Sequence, residues 1–140
     1  MKKGWKKSQA SMEFLVVFGF VFLMMIPLIV IFFDQTGYVQ DTIGESQIRN
    51  IMLKIVNKAE SVYYTGGSSK TTIKAYLPEG VQNINISSRT IRVIYLTKKG
   101  IYHNIEAGSL VNMTGTFSVN SGIHNILIES DGGAVSISEG

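Results

Sequence analysis

The sequence predicts an α+β fold, in which one long N-terminal transmembrane helix precedes a small β-rich domain of antiparallel strands. Two patterns support this prediction: residues 14–33 form an uninterrupted apolar run, and residues 68–140 alternate between apolar and polar positions in short stretches separated by turn residues. The composition agrees, because 16% of the residues are charged, whereas an ordinary soluble domain is about a quarter charged. A chain of 140 residues has room for one domain and an accessory segment.

The apolar run extends from Phe14 to Phe33, and only Gly19 and Pro27 within it are weak helix formers. Twenty helical residues rise roughly 30 Å, the thickness of the hydrocarbon core of a bilayer. A buried soluble helix that is apolar on every face would need more covering protein than this chain supplies. A cleavable secretory signal has a shorter apolar region and a small-residue cleavage site, which this run lacks. We therefore predict a membrane span.

The positive charge of the chain is concentrated before this run. The formal net charge is +3, and Lys2, Lys3, Lys6 and Lys7 supply four of the thirteen basic side chains. Without them the remaining nine basic and ten acidic residues give a net charge of −1, which argues against nucleic acid as a partner. The positive-inside rule then predicts a cytoplasmic N-terminus and an outside location for residues 34–140. The absence of Cys excludes disulfides and thiolate chemistry.

The most specific pattern lies between the lysines and the apolar run, where Gln9, Ser11 and Glu13 alternate directly before Phe14. A carboxylate at the centre of a bilayer costs about 2.5–3.5 kcal/mol on insertion scales, and less near the interface, so Glu13 is a candidate functional residue. A simpler interpretation stays open, because a carboxylate near the N-terminus of a helix also complements the helix dipole.

A basic leader followed by Gln-x-Ser-x-Glu and a long apolar helix resembles the class III signal peptides of archaeal type IV pilin-like proteins. The resemblance implies that a prepilin peptidase removes residues 1–8 on the cytoplasmic side by cutting between Ser8 and Gln9. Glu13 then becomes the fifth residue of the mature chain, where this family is thought to pair it with the free N-terminal amine of a neighbouring subunit. The implied partners are the peptidase, other pilin subunits, the pilus assembly machinery and, before assembly, membrane lipid.

In the domain organisation that follows, residues 9–33 form the transmembrane or filament-core helix and residues 34–67 an amphipathic helical stalk. Apolar residues of the stalk recur at three- and four-residue spacing. Gly37 and Gly44 are expected to bend or break the join to the apolar helix, and Gly66 to end the stalk.

Residues 68–140 are predicted to form the outside head, an antiparallel sheet or small sandwich of six or seven short strands. The pattern places these strands at residues 71–77, 81–86, 90–97, 101–105, 110–119, 123–129 and 134–138.

We find no pattern of catalytic or metal-binding residues in this region, so we expect no enzyme activity, no metal and no cofactor. His103 and His124 are the only histidines, each on a predicted strand with a glutamate, Glu106 or Glu129, within five residues. Lone histidines of this kind more often pack or lie on the surface than bind metal. Asn85 and Asn112 begin Asn-x-Ser/Thr sequences and are glycosylation candidates, a modification common among archaeal pilins.

The sequence thus predicts a type IV pilin-like structural subunit that starts as a single-pass membrane protein and polymerises through its N-terminal helix into a cell-surface filament. Adhesion, motility and uptake all remain open as roles of that filament. The alternative is a minor or non-polymerising membrane-anchored pilin-like protein whose β head binds a surface or solute. An anchored surface hydrolase is disfavoured, because no nucleophile, acid and base are found together.

Overall fold

The computed structural model describes the backbone of residues 5–140 and the side chains from Ala10 onward. One helix, α1 (Trp5–Thr65), is followed by five strands. The strands are β1 (Lys70–Leu77), β2 (Val81–Leu96), β3 (Tyr102–Gly115), β4 (Gly122–Ser130) and β5 (Val135–Glu139). The predicted α+β order of one long helix followed by a β-rich domain is confirmed. The chain divides into two units, Met1–Val39 and Gln40–Gly140.

The expected interruption of the helix at Gly37 and Gly44 does not occur, because α1 runs through both residues. Gly44 has a packing role, since a Cβ at this position would lie 2.5 Å from the hydroxyl oxygen of Tyr95. A glycine costs a helix about 1 kcal/mol relative to alanine, and burial of the tyrosine ring offsets that cost. The helix ends at Thr65, directly before Gly66, which has a φ of +78°.

The five strands form one mixed sheet in the order β1-β4-β5-β3-β2. Three neighbouring pairs are antiparallel, but β3 and β5 are parallel, so the prediction of an antiparallel head is wrong at this pair. The reason is topological: β3 and β4 run in opposite directions, and β5 is inserted between them, so it must be parallel to one of the two. Gly115 makes the crossing possible, because a Cβ there would clash with the backbone carbonyl of Ile137 on β5.

The second strand doubles back on itself. Its sixteen residues would span about 50 Å if they were extended. The amide of Leu96 nevertheless donates a 2.8 Å hydrogen bond to the carbonyl of Gly80, which immediately precedes the strand. The reversal falls at Ser88, whose φ is +55°, and the pairing with β3 changes register between Ser88 and Thr90. Two of the predicted short strands are therefore parts of one element, and β3 likewise joins two more, so five elements replace the expected six or seven.

The core of the second unit lies between α1 and one face of the sheet. Apolar side chains that recur along the helix are almost fully buried, as the predicted amphipathic pattern requires. These residues are Ile48, Met52, Ile55, Val56, Ala59 and Val62. The sheet contributes alternate residues from every strand, among them Ile73, Ile91, Met113, Ile126 and Ile137. Each large apolar side chain buried here contributes about 1.5–3 kcal/mol relative to an exposed one.

Candidate functional site

The first unit presents an apolar surface that surrounds its helix. Every large apolar side chain from Phe14 to Phe33 is between 48% and 70% exposed. This part of α1 is long and apolar enough to cross a membrane, and it is the one candidate span among the described residues. Because an α-helix pairs its backbone N–H and C=O groups internally, such a segment can be surrounded by lipid or by other apolar helices.

Aromatic rings form a stripe along this surface. Phe14, Phe18 and Phe22 follow each other at i, i+4 spacing, with ring centroids 5.4 and 5.2 Å apart. Gly19 leaves a gap, because no atom beyond its own helix backbone lies within 4 Å of the position that a Cβ would take. Pro27 lies inside the helix and removes one backbone donor. The segment therefore combines bulky rings with a small residue, and the small residue allows the backbone of another helix to approach closely.

Glu13 is the only charged residue between Lys7 and Asp34. The structure places it in α1, one residue before the apolar surface begins, with an exposed side chain. It makes no ion pair with any other residue that the structure describes. A carboxylate in a buried, apolar position would be costly without a partner.

The predicted processing segment is described only in part. Lys2 and Lys3 lie outside the described residues, and so do the side chains of Lys6, Lys7, Ser8 and Gln9, although the backbone of these four belongs to α1. Ser11 is exposed on the same helix.

Both glycosylation candidates are exposed on strands of the second unit, Asn85 on β2 and Asn112 on β3. Asn85 lines a shallow depression of about 350 Å³ together with Ser87 and Arg92. An exposed amide on the side of the sheet that carries polar residues could accept a sugar without disturbing the core.

His103 contacts a carboxylate of the helix. Its Nδ1 lies 2.5 Å from Oε1 of Glu45 on α1. The glutamate nearest to it in the sequence, Glu106, instead pairs with Arg92 across β2 and β3, with Nε and Oε1 2.5 Å apart.

His124 is buried between two acceptors. Its Nδ1 lies 2.7 Å from Oε1 of Glu139, and its Nε2 lies 2.7 Å from the carbonyl oxygen of Asn120. A neutral imidazole has a single N–H, so only the imidazolium can donate to both acceptors. The hydrogen bond with Glu139 raises the pKa of His124 despite the opposing effect of burial, and the same bond lowers the pKa of Glu139. This histidine thus ties β4 to the end of β5 and to the preceding loop.

Two further carboxylates tie the sheet to the helix. Asp41, itself buried, accepts a 3.0 Å hydrogen bond from the backbone amide of Lys98. Glu60 accepts a 2.8 Å hydrogen bond from the backbone amide of Leu110, which lies on β3 opposite the point where β2 reverses. Sequence analysis missed both contacts, because the partners are 57 and 50 residues apart and no local pattern marks them.

No group of three or more His, Asp or Glu residues in the described part of the chain could hold a metal ion. The described features are an exposed apolar helix with one carboxylate at its edge in the first unit and a folded β-rich domain in the second.

No family model, no curated protein and no solved structure matches this chain.

Proposed function

We propose that this chain is a type IV pilin-like structural subunit, processed by a prepilin peptidase between Ser8 and Gln9 and polymerised through its N-terminal helix into a cell-surface filament. The observation that supports this most is the surface of the first unit: exposed apolar side chains on every side of the helix, with Glu13 as the one carboxylate at its edge. Such a helix suits a bilayer first and a bundle of identical helices later.

In this proposal, processing supplies a partner for Glu13. The cut removes Lys2, Lys3, Lys6 and Lys7, which hold the leader on the cytoplasmic side, and creates a cationic amine on Gln9. In an apolar bundle a lone carboxylate is strongly unfavourable, whereas a carboxylate paired with an amine from a neighbouring subunit also fixes the register between them. In such an assembly each subunit contacts the next through a different surface. When the rotation between successive subunits does not close a ring, these contacts build an open helical filament.

In this proposal the second unit is the outside head. Its exposed Asn85 and Asn112 lie in the compartment where glycans are added, so we propose both as glycosylation sites. Before assembly the protein is a single-pass membrane protein with a cytoplasmic N-terminus, and afterwards it belongs to the filament.

The test is charge reversal at Glu13. We expect Glu13→Lys to abolish filaments while the protein still inserts into the membrane, because the substitution places a cation against the amine of the neighbour. The matched control is Glu79→Lys, which reverses an exposed carboxylate of the β1–β2 turn that makes no ion pair with the residues that the structure describes. The measurement is the amount of subunit in filaments sheared from cells, beside the amount in the membrane fraction. Normal filaments from Glu13→Lys would overturn the proposed assembly mechanism.

The intact mass of the protein from native membranes tests processing independently. We expect a chain that begins at Gln9 with a free amine, with additional mass on Asn85 or Asn112 where sugars are attached. A pyroglutamate at this position would still show the cut, but it carries no cationic amine and would contradict the pairing with Glu13. A chain that retains Met1 in cells with an active peptidase would contradict the pilin proposal and indicate a signal-anchored surface protein.

A non-polymerising, anchored pilin-like protein is the second candidate, and one feature of the second unit favours it. A polar depression of about 380 Å³ is lined by hydroxyl and charged groups, including those of Ser69, Lys70, Glu129 and Asp131. Such a surface could hold a polar solute. A subunit that dominates the sheared filaments supports polymerisation, whereas one that stays in the membrane supports this alternative.

A further inference from the structure

The turn between β2 and β3 carries apolar and cationic side chains that have no packing role. Ile101 is 55% exposed and Tyr102 is 67% exposed, and Lys98 and Lys99 precede them in an exposed position. An isoleucine in a tight turn is otherwise unfavourable, because it neither fills the core nor supplies turn geometry.

The backbone of this turn is held in one conformation. The amide of Thr97 donates to the carbonyl of Ile101 at 2.9 Å, and the amide of Gly100 donates to the carbonyl of Thr97 at 2.9 Å. The hydroxyl oxygen of Thr97 also accepts a 3.0 Å hydrogen bond from the amide of Ile101. The exposed side chains are therefore presented by a rigid loop.

The same turn is fastened to the first residues of the second unit. The amide of Lys98 bonds Asp41, its ammonium bonds the side chain of Gln40, and His103 pairs with Glu45. These contacts engage Asp41 and Glu45, whereas Lys99 has no ion-pair partner among the residues that the structure describes. The turn thus lies at the end of the second unit where the chain enters it.

That end is close to the candidate membrane span along the chain. Only six residues separate Phe33, the last residue of the apolar run, from Gln40, and the seven Cα–Cα steps between them cannot reach further than about 25 Å. Tyrosine is enriched where membranes meet water, and lysines near an anionic bilayer bind its phosphates. Asp34 is the one acidic residue in the connecting stretch.

We propose that the turn from Lys98 to Tyr102 docks on the anionic phospholipid surface of the membrane that holds the span of this same chain. Lys98 and Lys99 bind headgroup phosphates, and Ile101 and Tyr102 enter the interfacial layer. The contact orients the head on the membrane before assembly and is released when the subunit leaves the bilayer. This inference rests on the membrane-anchored state in the proposed function, but it does not require polymerisation.

The test uses the full chain in vesicles of neutral lipid, with or without anionic phospholipid, that contain a headgroup-labelled quencher lipid. Trp5→Phe removes the single native tryptophan, and Tyr102→Trp then provides the reporter. The matched reporter is Tyr64→Trp, because Tyr64 is also 67% exposed but lies twenty-four helical residues beyond Gln40, or about 36 Å. We expect several-fold stronger quenching of the Tyr102→Trp indole in anionic vesicles, falling to the Tyr64→Trp level in 1 M salt.

Charge reversal distinguishes a contact made by Lys99 itself from a general effect of the charge of the protein. Lys99→Glu should lower the quenching to the level of the matched reporter, whereas Lys58→Glu, which reverses an exposed lysine near the C-terminal end of the helix, should leave it unchanged. Equal quenching of the two reporters would overturn the docking. Quenching of the Tyr102→Trp indole that changes neither with salt nor with Lys99→Glu would overturn the contact with the headgroups. Flotation of the protein with the vesicles is measured in parallel: a chain that does not float refutes the anchor, whereas one that floats with an unquenched reporter refutes only this docking surface.

Discussion

Replacement of Gly115 by alanine tests whether the parallel crossing of β3 and β5 holds the sheet together. Gly115 has a φ of +138°, a region that costs a residue with a Cβ about 1–3 kcal/mol. The added methyl would also meet the carbonyl of Ile137, which accepts a 3.2 Å hydrogen bond from the amide of Thr116. Moving that carbonyl leaves the bond unmade at a further cost of about 1–3 kcal/mol. We therefore expect Gly115→Ala to lower the free energy of unfolding by about 2–6 kcal/mol.

Two other glycines separate the clash from the backbone strain. Gly132 has a φ of +90° with open space around it, so Gly132→Ala should cost only the strain, about 1–2 kcal/mol. The nearest atom to a Cβ on Gly108 lies 4.0 Å away and its φ is not positive, so Gly108→Ala should change stability by less than about 0.5 kcal/mol.

The assay for this series is urea unfolding of the full chain in detergent, followed by the near-ultraviolet circular dichroism of buried Tyr95. With a slope of about 1–3 kcal/mol per molar urea, Gly115→Ala should lower the midpoint by at least about 0.7 M. The reasoning is refuted if Gly115→Ala unfolds at the same midpoint as Gly108→Ala, because β3 and β5 would then tolerate the methyl without separating.

Three further substitutions probe the contacts around the sheet. The raised pKa of His124 means that its ion pair with Glu139 stabilises the fold fully below pH 6.5 and is lost as the pH rises through the folded pKa. The lowered pKa of Glu139 means that the same ion pair is lost in acid, below pH 4.5. The unfolding free energy of the wild type should therefore exceed that of Glu139→Gln most between pH 4.5 and pH 6.5. A pH-independent difference in denaturant titrations would contradict this. Glu60→Ala should leave the amide of Leu110 unpaired and raise its hydrogen exchange, with unchanged protection arguing against that bond. Met113→Ala should create a cavity and cost about 2–5 kcal/mol in urea unfolding, and a smaller loss would mean that the core collapses around the site.

The elements of the fold were accessible to sequence reasoning because their signals are local. The spacing of apolar residues along the second half of α1 predicts the face that Ile48, Met52 and Ile55 bury. Alternation predicts the strands and their inward residues. The order of the strands could not be predicted from the sequence, because the insertion of β5 between β4 and β3 depends on pairing between distant segments, which no periodicity encodes. The sequence pattern does end one strand at residue 86 and begin the next at residue 90, and the reversal of β2 falls between them, at Ser88.

The residues of the candidate site also differ in whether they can be found from the sequence. Glu13 can be found from sequence, because a single carboxylate beside a long apolar run is a local anomaly. The buried Asp41 cannot, because its partner Lys98 belongs to a turn that only the folded sheet brings to the helix. His103 and His124 were read as isolated residues, and the structure gives each a carboxylate from another element. Local chemistry therefore identifies the helix, while the contacts that hold the head require the fold.

The position of β5 has a consequence for how the head is made. The five residues of Val135–Glu139 are translated after every other strand, yet they form the middle of the sheet. Until they arrive, β1 with β4 and β2 with β3 are two separate ladders, each with an open edge that can pair with the wrong chain. Such late, long-range closure makes folding slow, because the entropy of closing long loops is lost before the non-local contacts can form. A chain arrested before Val135 is accordingly expected to be a ready target for quality-control proteases.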